Sequence, residues 1–265
     1  RFQKGEPEGV AKTFDQKKVT AWLLSQRLPF TNTDSKAPAL SDNPGGSLSY
    51  VQPSFDDHSW RSLNLPHDWG VEGPFTQSLE GETGKLPWPG IGWYRKQFTL
   101  AETDKARRFY LEIDGAMSNS LVWINGHLAG GWAYGYASFR VDLTPYINLS
   151  GANTLAIRLD NPPRSSRWYP GGGIYRNVWL VKTSPVQVGQ WGVQLTTPDI
   201  SAGQASVVFA TTVCNTLPDA VTVNVRTEIY ALDAKGRREG PALAKDTSAP
   251  VAIPAGANPV APAKL

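Results

Sequence analysis

The chain has 265 residues, enough for one large β domain or for two domains of ordinary size. Its net charge is +3, and its charged residues are scattered without a basic run, which argues against nucleic-acid or membrane-surface binding. No apolar stretch approaches the roughly 18 residues that span a bilayer, and the single cysteine, Cys214, excludes an internal disulfide bond. The compartment stays open, with a periplasmic or secreted bacterial location and a cytoplasmic one both compatible.

The first 50 residues follow no regular strand pattern. The spacing of apolar residues predicts a short helix at residues 16–27. Residues 29–49 are rich in Pro, Asn, Asp, Ser and Gly, a composition typical of a loop. We therefore expect residues 12–50 to be an insertion or long loop, used in oligomer contacts or in shaping a pocket.

Short strands with alternating polarity follow a Gly- and Pro-rich stretch. The predicted strands cover residues 93–100, 109–113, 120–124, 138–143, 153–159 and 174–181. Between two of them, Asn125-Gly126 is the strongest short signal for a hairpin with a type I′ turn. In the last strand we expect Ile174, Val178 and Leu180 to form the buried face. Regular short strands separated by turn residues predict a β-sandwich or jelly roll.

The composition changes after residues 185–192, which we interpret as a domain boundary. Further strands rich in Val and Thr are predicted at residues 191–197, 205–215 and 220–232. An immunoglobulin-like sandwich needs about seven strands, whereas only three or four can be placed before the Ala- and Pro-rich tail at 248–265. The predicted fold class is therefore all-β: a jelly-roll β-sandwich at residues 1–185, then an incomplete immunoglobulin-like β-sandwich at residues 186–265.

Three loops carry side chains suited to sugar binding. These side chains are Asp68, Trp69, Trp88, Arg167, Trp168 and Tyr169. Aromatic rings offer flat faces that stack on sugar rings, and Asp and Arg make directional hydrogen bonds with hydroxyl groups. A structural interpretation stays open beside this one: Asp68 would cap nearby amides, His67 would bond to the backbone, and the aromatic rings would cap the core. Three glycines at residues 171–173 mark a sharp, crowded turn beside these loops.

The sequence contains no motif that supplies catalytic chemistry. The three histidines are far apart and one cysteine cannot build a zinc site, so no metal site is predicted. No G-x-S-x-G elbow, phosphate-binding loop or dinucleotide fingerprint occurs. Glycoside hydrolysis needs two carboxylates that face one bond, and the sequence identifies no such pair. We predict no catalytic residue and no cofactor in this chain.

Six motifs in fixed order resemble one known family. They are LNLPHDW, GIGWYRKQF, LVWINGHLAGG, YASFRVDLT, NTLAIRLDN and SRWYPGGGIYRNVWL. The chain is similar to the N-terminal sugar-binding part of glycoside hydrolase family 2, in its β-galactosidase branch. The resemblance is strong over residues 55–182 and weaker over the immunoglobulin-like region. It implies a jelly roll, an immunoglobulin-like domain and then a TIM barrel, whose two catalytic glutamates lie beyond this chain.

The resemblance also implies a role for the loops. Asp68 and the pair Arg167-Trp168 are the contributors expected in the sugar-binding pocket, with His67, Trp69, Trp88 and Tyr169 as weaker candidates. In some β-galactosidases an Asp replaces the residue corresponding to Arg167. The implied partners are a β-galactoside or oligosaccharide substrate and the downstream barrel, with a homo-oligomer possible. Some members of the family use Mg²⁺ or Na⁺, and the resemblance implies that the ligands of such an ion would lie mostly in the barrel.

Several functions stay open at this point. The leading hypothesis is the non-catalytic N-terminal portion of a retaining β-galactosidase-type enzyme. A β-glucuronidase or a β-mannosidase of the same family is an alternative substrate assignment. From other classes, a free-standing carbohydrate-binding module or lectin and a purely structural or adhesion sandwich also fit.

Overall fold

The computed structural model describes residues 1–7, 10, 14–27 and 43–264. The chain forms two compact units, Arg1–Lys182 and a second unit from Thr183 onward. Strands dominate both units, so the predicted all-β class is confirmed. The stretch at 185–192, interpreted as a domain boundary, follows this division closely, and its residues 186–192 belong to a long strand, β9 (Val186–Ile200). Among the described helices, none combines the length and apolar character that crossing a bilayer requires.

In its described residues the first unit is a two-sheet β-sandwich of eight strands, in agreement with the jelly-roll prediction. One antiparallel sheet has the order β1 (Phe2–Lys4), β2 (Gly90–Phe98), β7 (Asn153–Asn161), β4 (Ser120–Ile124) and β5 (His127–Trp132). The other has the order β6 (Phe139–Asp142), β3 (Arg108–Ile113) and β8 (Val178–Thr183). Short 3-10 helices lie at Ser49–Val51, Gly81–Thr83, Glu102–Asp104 and Thr144–Tyr146.

The main core lies between these two sheets. Successive strand residues point to opposite faces, so alternate positions of each strand enter the same core. On β3 these positions are Phe109, Leu111 and Ile113, and on β7 they include Ile157 and Leu159. All five side chains are buried in one cluster. Their burial supplies most of the stability of a sandwich, since apolar area removed from water is the main favourable term in folding.

A second core covers the outer face of the five-stranded sheet. The predicted helix is confirmed as α1 (Gln16–Arg27). Its Val19 and Leu23 are buried with Trp93 of β2 and Trp123 of β4. The described part of residues 12–50 therefore includes a packed helix, while residues 12–13 and 28–42 lie outside the described residues. Strand β4 is buried on both faces for this reason, which explains its continuous apolar sequence.

The turn between β4 and β5 is as predicted. Asn125 and Gly126 have φ values of 52° and 84°, and Ile124 pairs directly with His127. Two residues with positive φ are what a type I′ turn requires. His127 is exposed and stacks on Tyr146 with ring centroids 4.9 Å apart.

The last strand of the first unit starts later than predicted. It begins at Val178 rather than at residue 174, and Leu180 is exposed rather than buried. The reason is that the backbone of Ile174 makes its hydrogen bonds with other segments and not with a neighbouring strand of this sheet. The Ile174 amide donates to the Tyr94 hydroxyl at 3.3 Å, and the Ile174 carbonyl accepts from the His67 amide at 2.8 Å. Ile174 itself is fully buried, as predicted.

The second unit contains seven strands in its described residues, more than the three or four placed from the sequence. Besides β9 they are β10 (Ala205–Asn215), β11 (Val221–Val223), β12 (Arg226–Leu232), β13 (Arg238–Thr247), β14 (Val251–Ile253) and β15 (Val260–Lys264). Sheets form in the orders β15-β10-β9, β11-β14 and β12-β13. The tail at 248–265 therefore carries strands that its composition hides. Pro262 is tolerated in β15 because that strand lies at the edge of its described sheet.

Candidate functional site

Three chain segments distant in sequence meet around the triple glycine. The backbone of residues 67–69 pairs with that of residues 172–174: the His67 amide donates to Ile174 and the Trp69 amide donates to Gly172 at 2.7 Å. On the other side, Met117 and Gly173 exchange two backbone hydrogen bonds of 2.9 and 3.2 Å. These bonds fix both predicted sugar-binding loops against each other.

The glycines allow this close approach. A Cβ atom on Gly172 would lie 2.9 Å from Nε1 of Trp69, and one on Gly173 would lie 2.5 Å from the Tyr94 hydroxyl. Gly173 also has a φ of +120°, which residues with a side chain rarely adopt. The crowded turn predicted from the sequence is therefore present. Its crowding comes from Trp69 and Tyr94, which are buried in the interior of the unit.

Asp68 is the anchor of the site. Its Oδ1 accepts hydrogen bonds from the Gly70 amide at 2.9 Å and from the Tyr169 hydroxyl at 2.6 Å. Burial and the neighbouring Asp68 carboxylate raise the pKa of Tyr169, so Tyr169 remains a donor at neutral pH. The Oδ2 atom makes no hydrogen bond to the described residues, and it lies 3.7 Å from where a Cβ of Gly171 would be. A half-buried carboxylate thus keeps one oriented acceptor for another group.

His67 is buried and joins the buried Tyr94 to an exposed ion pair of Arg61 and Glu72. Its Nε2 lies 2.7 Å from Nη2 of Arg61, and its Nδ1 lies 2.7 Å from the Tyr94 hydroxyl. Because a guanidinium only donates, Nε2 is the acceptor, and the neutral ring carries its proton on Nδ1 and donates it to Tyr94. Glu72 accepts two hydrogen bonds from Arg61, at 2.7 and 2.9 Å. Burial lowers the pKa of His67, with Glu72 acting in the opposite direction.

Two aromatic candidates lie in the interior. Trp69 and Trp88 are each 2% exposed, so neither ring offers a face to a sugar in this unit. The indole of Trp69 donates to the carbonyl of Trp88 at 2.8 Å and stacks on Phe2 at 5.9 Å between centroids. The sugar contacts predicted for these two residues are therefore replaced by a supporting role, and His67 supports the loop in the same way.

The remaining candidates face outward. Arg167 is exposed, and Trp168 is 60% exposed. The Trp168 indole donates to the Tyr136 hydroxyl at 3.1 Å, and that hydroxyl donates to the carbonyl of Pro170 at 3.1 Å. Sequence reasoning missed Tyr136 and its neighbour Tyr134. The signal available was Tyr-Gly-Tyr at 134–136 between two strands.

The side chains around Asp68 have chemistry suited to binding a hydroxylated ligand. Asp68 offers an acceptor for a hydroxyl group, Arg167 offers donors, and Trp168 offers a ring face. Within the described ranges, no group of three or more His, Cys, Asp or Glu side chains is arranged to hold a metal ion. The arrangement fits recognition of a neutral polyhydroxylated ligand such as a sugar.

Comparison with known proteins identifies the family. The profile described as "Glycosyl hydrolase 2 galactose-binding domain-like" matches residues 79–169. The chain is 46% identical over 195 residues to the β-galactosidase BoGH2A of Bacteroides ovatus, which covers 73% of this chain and 23% of that protein. It is 39% identical over 170 residues to a putative β-glucuronidase of Formosa agariphila, with 63% of this chain and 16% of that protein covered.

A solved structure agrees with the sequence relatives. It is a glycosyl hydrolase family 2 member from Bacteroides cellulosilyticus, with a TM-score of 0.75 and 30% identity. The match covers 82% of this chain and 28% of that structure. The chain spans about a quarter or less of the curated relatives' length, at their N-terminal part. The chain therefore belongs to glycoside hydrolase family 2 and corresponds to the N-terminal part of its members.

Proposed function

We propose that this chain is the non-catalytic N-terminal portion of a retaining β-galactosidase-type enzyme and shapes the sugar pocket of a downstream TIM barrel. The observation that carries the proposal is the Asp68 carboxylate. Its Oδ1 is held by Gly70 and Tyr169, and its Oδ2 keeps its lone pairs for a ligand. A carboxylate oriented in this way accepts a sugar hydroxyl at little cost in ordering.

In this proposal the barrel carries out catalysis and this chain binds the sugar. Two barrel glutamates would carry out the double displacement, in which one attacks the anomeric carbon and the other protonates the leaving oxygen. The residues of this chain would bind and orient the sugar. Asp68 would accept from one hydroxyl group of that sugar, and Arg167 would donate to another.

A terminal β-galactoside is the favoured substrate. The β-galactosidase relative is 46% identical, against 39% for the putative β-glucuronidase. The test is an assay of the full-length enzyme on nitrophenyl β-galactoside, β-glucuronide and β-mannoside. We expect the highest kcat/KM on the galactoside. A preference for the glucuronide or the mannoside would change the assigned substrate. Turnover of none of the three would refute the enzymatic assignment.

The pocket role has its own test. Asp68→Ala and Arg167→Ala in the full-length enzyme should each remove a charged hydrogen bond to substrate. A loss of about 1.5–3 kcal/mol corresponds to a kcat/KM lower by about tenfold to 150-fold. Asp199→Ala is the matched control, because Asp199 is exposed in the second unit. Unchanged kcat/KM in both test variants would refute the substrate contacts of Asp68 and Arg167 and favour a structural role for them.

A free-standing carbohydrate-binding module is the second candidate, favoured by the exposure of Trp168. It predicts that residues 1–265 alone bind galactosides. Calorimetric titration of this chain with lactose separates the two, since the leading proposal expects little affinity without the barrel.

A further inference from the structure

We propose that Tyr134, Tyr136 and Trp168 form a leaving-group subsite, called here the aromatic platform. It would stack on the sugar that follows the scissile bond, while the terminal sugar is held at Asp68. The inference rests on the proposed function and adds a second binding position to it.

The three rings are large, exposed and adjacent. Tyr134 is 62% exposed, Tyr136 is 45% exposed, and the two rings meet edge to face at 5.6 Å between centroids. Trp168 reaches Tyr136 through the indole hydrogen bond described above. Rings of this size that remain in contact with water can gain from stacking on the C–H face of a sugar. The Trp168 indole and the Tyr136 hydroxyl meanwhile keep polar partners.

Contacts with neighbouring segments hold the platform in place. The loop between β5 and β6 is fixed where the Tyr175 hydroxyl donates to the Gly135 carbonyl at 2.8 Å. Gly135 also packs so closely on Met117 that a Cβ there would overlap its sulfur. The Tyr136 hydroxyl is fixed by its bond to Pro170. A binding surface held in this way loses little conformational entropy when the ligand binds.

The platform is continuous with the Asp68 anchor. A Cβ on Gly171 would lie 3.7 Å from Oδ2 of Asp68 and 4.0 Å from Cβ of Met117, so one glycine separates the carboxylate from the residue under the platform. Pro170, which accepts from Tyr136, directly follows Tyr169, which donates to Asp68. Asp68 is half-buried and the rings are exposed. A substrate anchored at Asp68 would therefore extend outward across the platform.

The test compares two substrates with the same terminal sugar in the full-length enzyme. β-Galactosyl fluoride has no sugar for the platform, whereas lactose places a glucose there. In Tyr134→Ala and in Trp168→Ala we expect the ratio of kcat/KM for lactose to that for galactosyl fluoride to fall about threefold to tenfold. The matched control is Tyr146→Ala, an aromatic truncation beside His127 at the far end of β5.

The outcomes are separable. An unchanged ratio in both variants would overturn the platform, as would an equal loss on both substrates, since that indicates a contact needed for folding or domain packing. A wild-type enzyme inert toward galactosyl fluoride and lactose would refute the proposed function, and the platform with it. A fall in the ratio for both test variants and not for Tyr146→Ala supports the subsite.

Discussion

Tyr94 offers the sharpest test of how the site is supported. Its hydroxyl oxygen accepts from Nδ1 of His67 at 2.7 Å and from the Ile174 amide at 3.3 Å. Both donors are buried, and burial raises the pKa of Tyr94, so its hydroxyl is not ionised at neutral pH. Tyr94→Phe removes the acceptor and keeps the ring, so no large cavity forms.

The magnitude follows from the two orphaned donors. A buried donor left without an acceptor costs about 1–3 kcal/mol. The contact to Ile174 is long and contributes at the low end of that range. We therefore expect Tyr94→Phe to lower the free energy of unfolding of the first unit by about 2–4 kcal/mol. Against a typical total of about 5–15 kcal/mol, such a loss is large.

Urea unfolding followed by tryptophan fluorescence measures this loss. Every tryptophan except Trp191 lies in the first unit, so the signal reports mainly on that unit. Tyr146→Phe is the control, because it deletes the hydroxyl of a partly exposed ring and should change stability by less than about 0.5 kcal/mol. A Tyr94→Phe variant within about 0.5 kcal/mol of the wild type would refute the assigned hydrogen bonds.

Three further predictions concern stability. Burial lowers the pKa of His67, so the unfolded chain binds a proton more readily than the folded chain below about pH 6.5, and the free energy of unfolding falls as the pH drops from there. His67→Gln should reduce this fall between about pH 7 and pH 5.5, as measured by urea titrations. Equal pH dependence of the free energy of unfolding in the variant and the wild type would contradict the prediction. Trp123→Ala should cost about 3–5 kcal/mol in urea unfolding, whereas the exposed Trp191→Ala should cost less than about 0.5 kcal/mol. Gly172→Ala should lower the melting temperature in calorimetry because its Cβ would press on Trp69, and an unchanged value would show that the turn yields.

The sequence by itself predicted six of the eight described strands of the first unit. A short apolar run predicted residues 120–124 as a strand, and the turn chemistry of Asn125-Gly126 predicted the hairpin, because both signals depend on neighbours in the chain. Strand prediction from the sequence was weaker in the second unit, where β14 and β15 are short and obtain their backbone partners from β11 and β10. Strand propensity depends on such partners, so a short Ala-rich segment shows little of it in isolation.

Only the tertiary structure decided which site candidates face outward. Ordered motifs pointed to Asp68 and Trp168, but Trp69 looked equally suitable and is enclosed by the core. The bond from Tyr169 to Asp68 joins residues 101 positions apart, and Tyr136 contributes from a third segment. Sequence patterns report periodicity over a few residues, whereas burial and side-chain partners depend on which distant segments the sheets bring together.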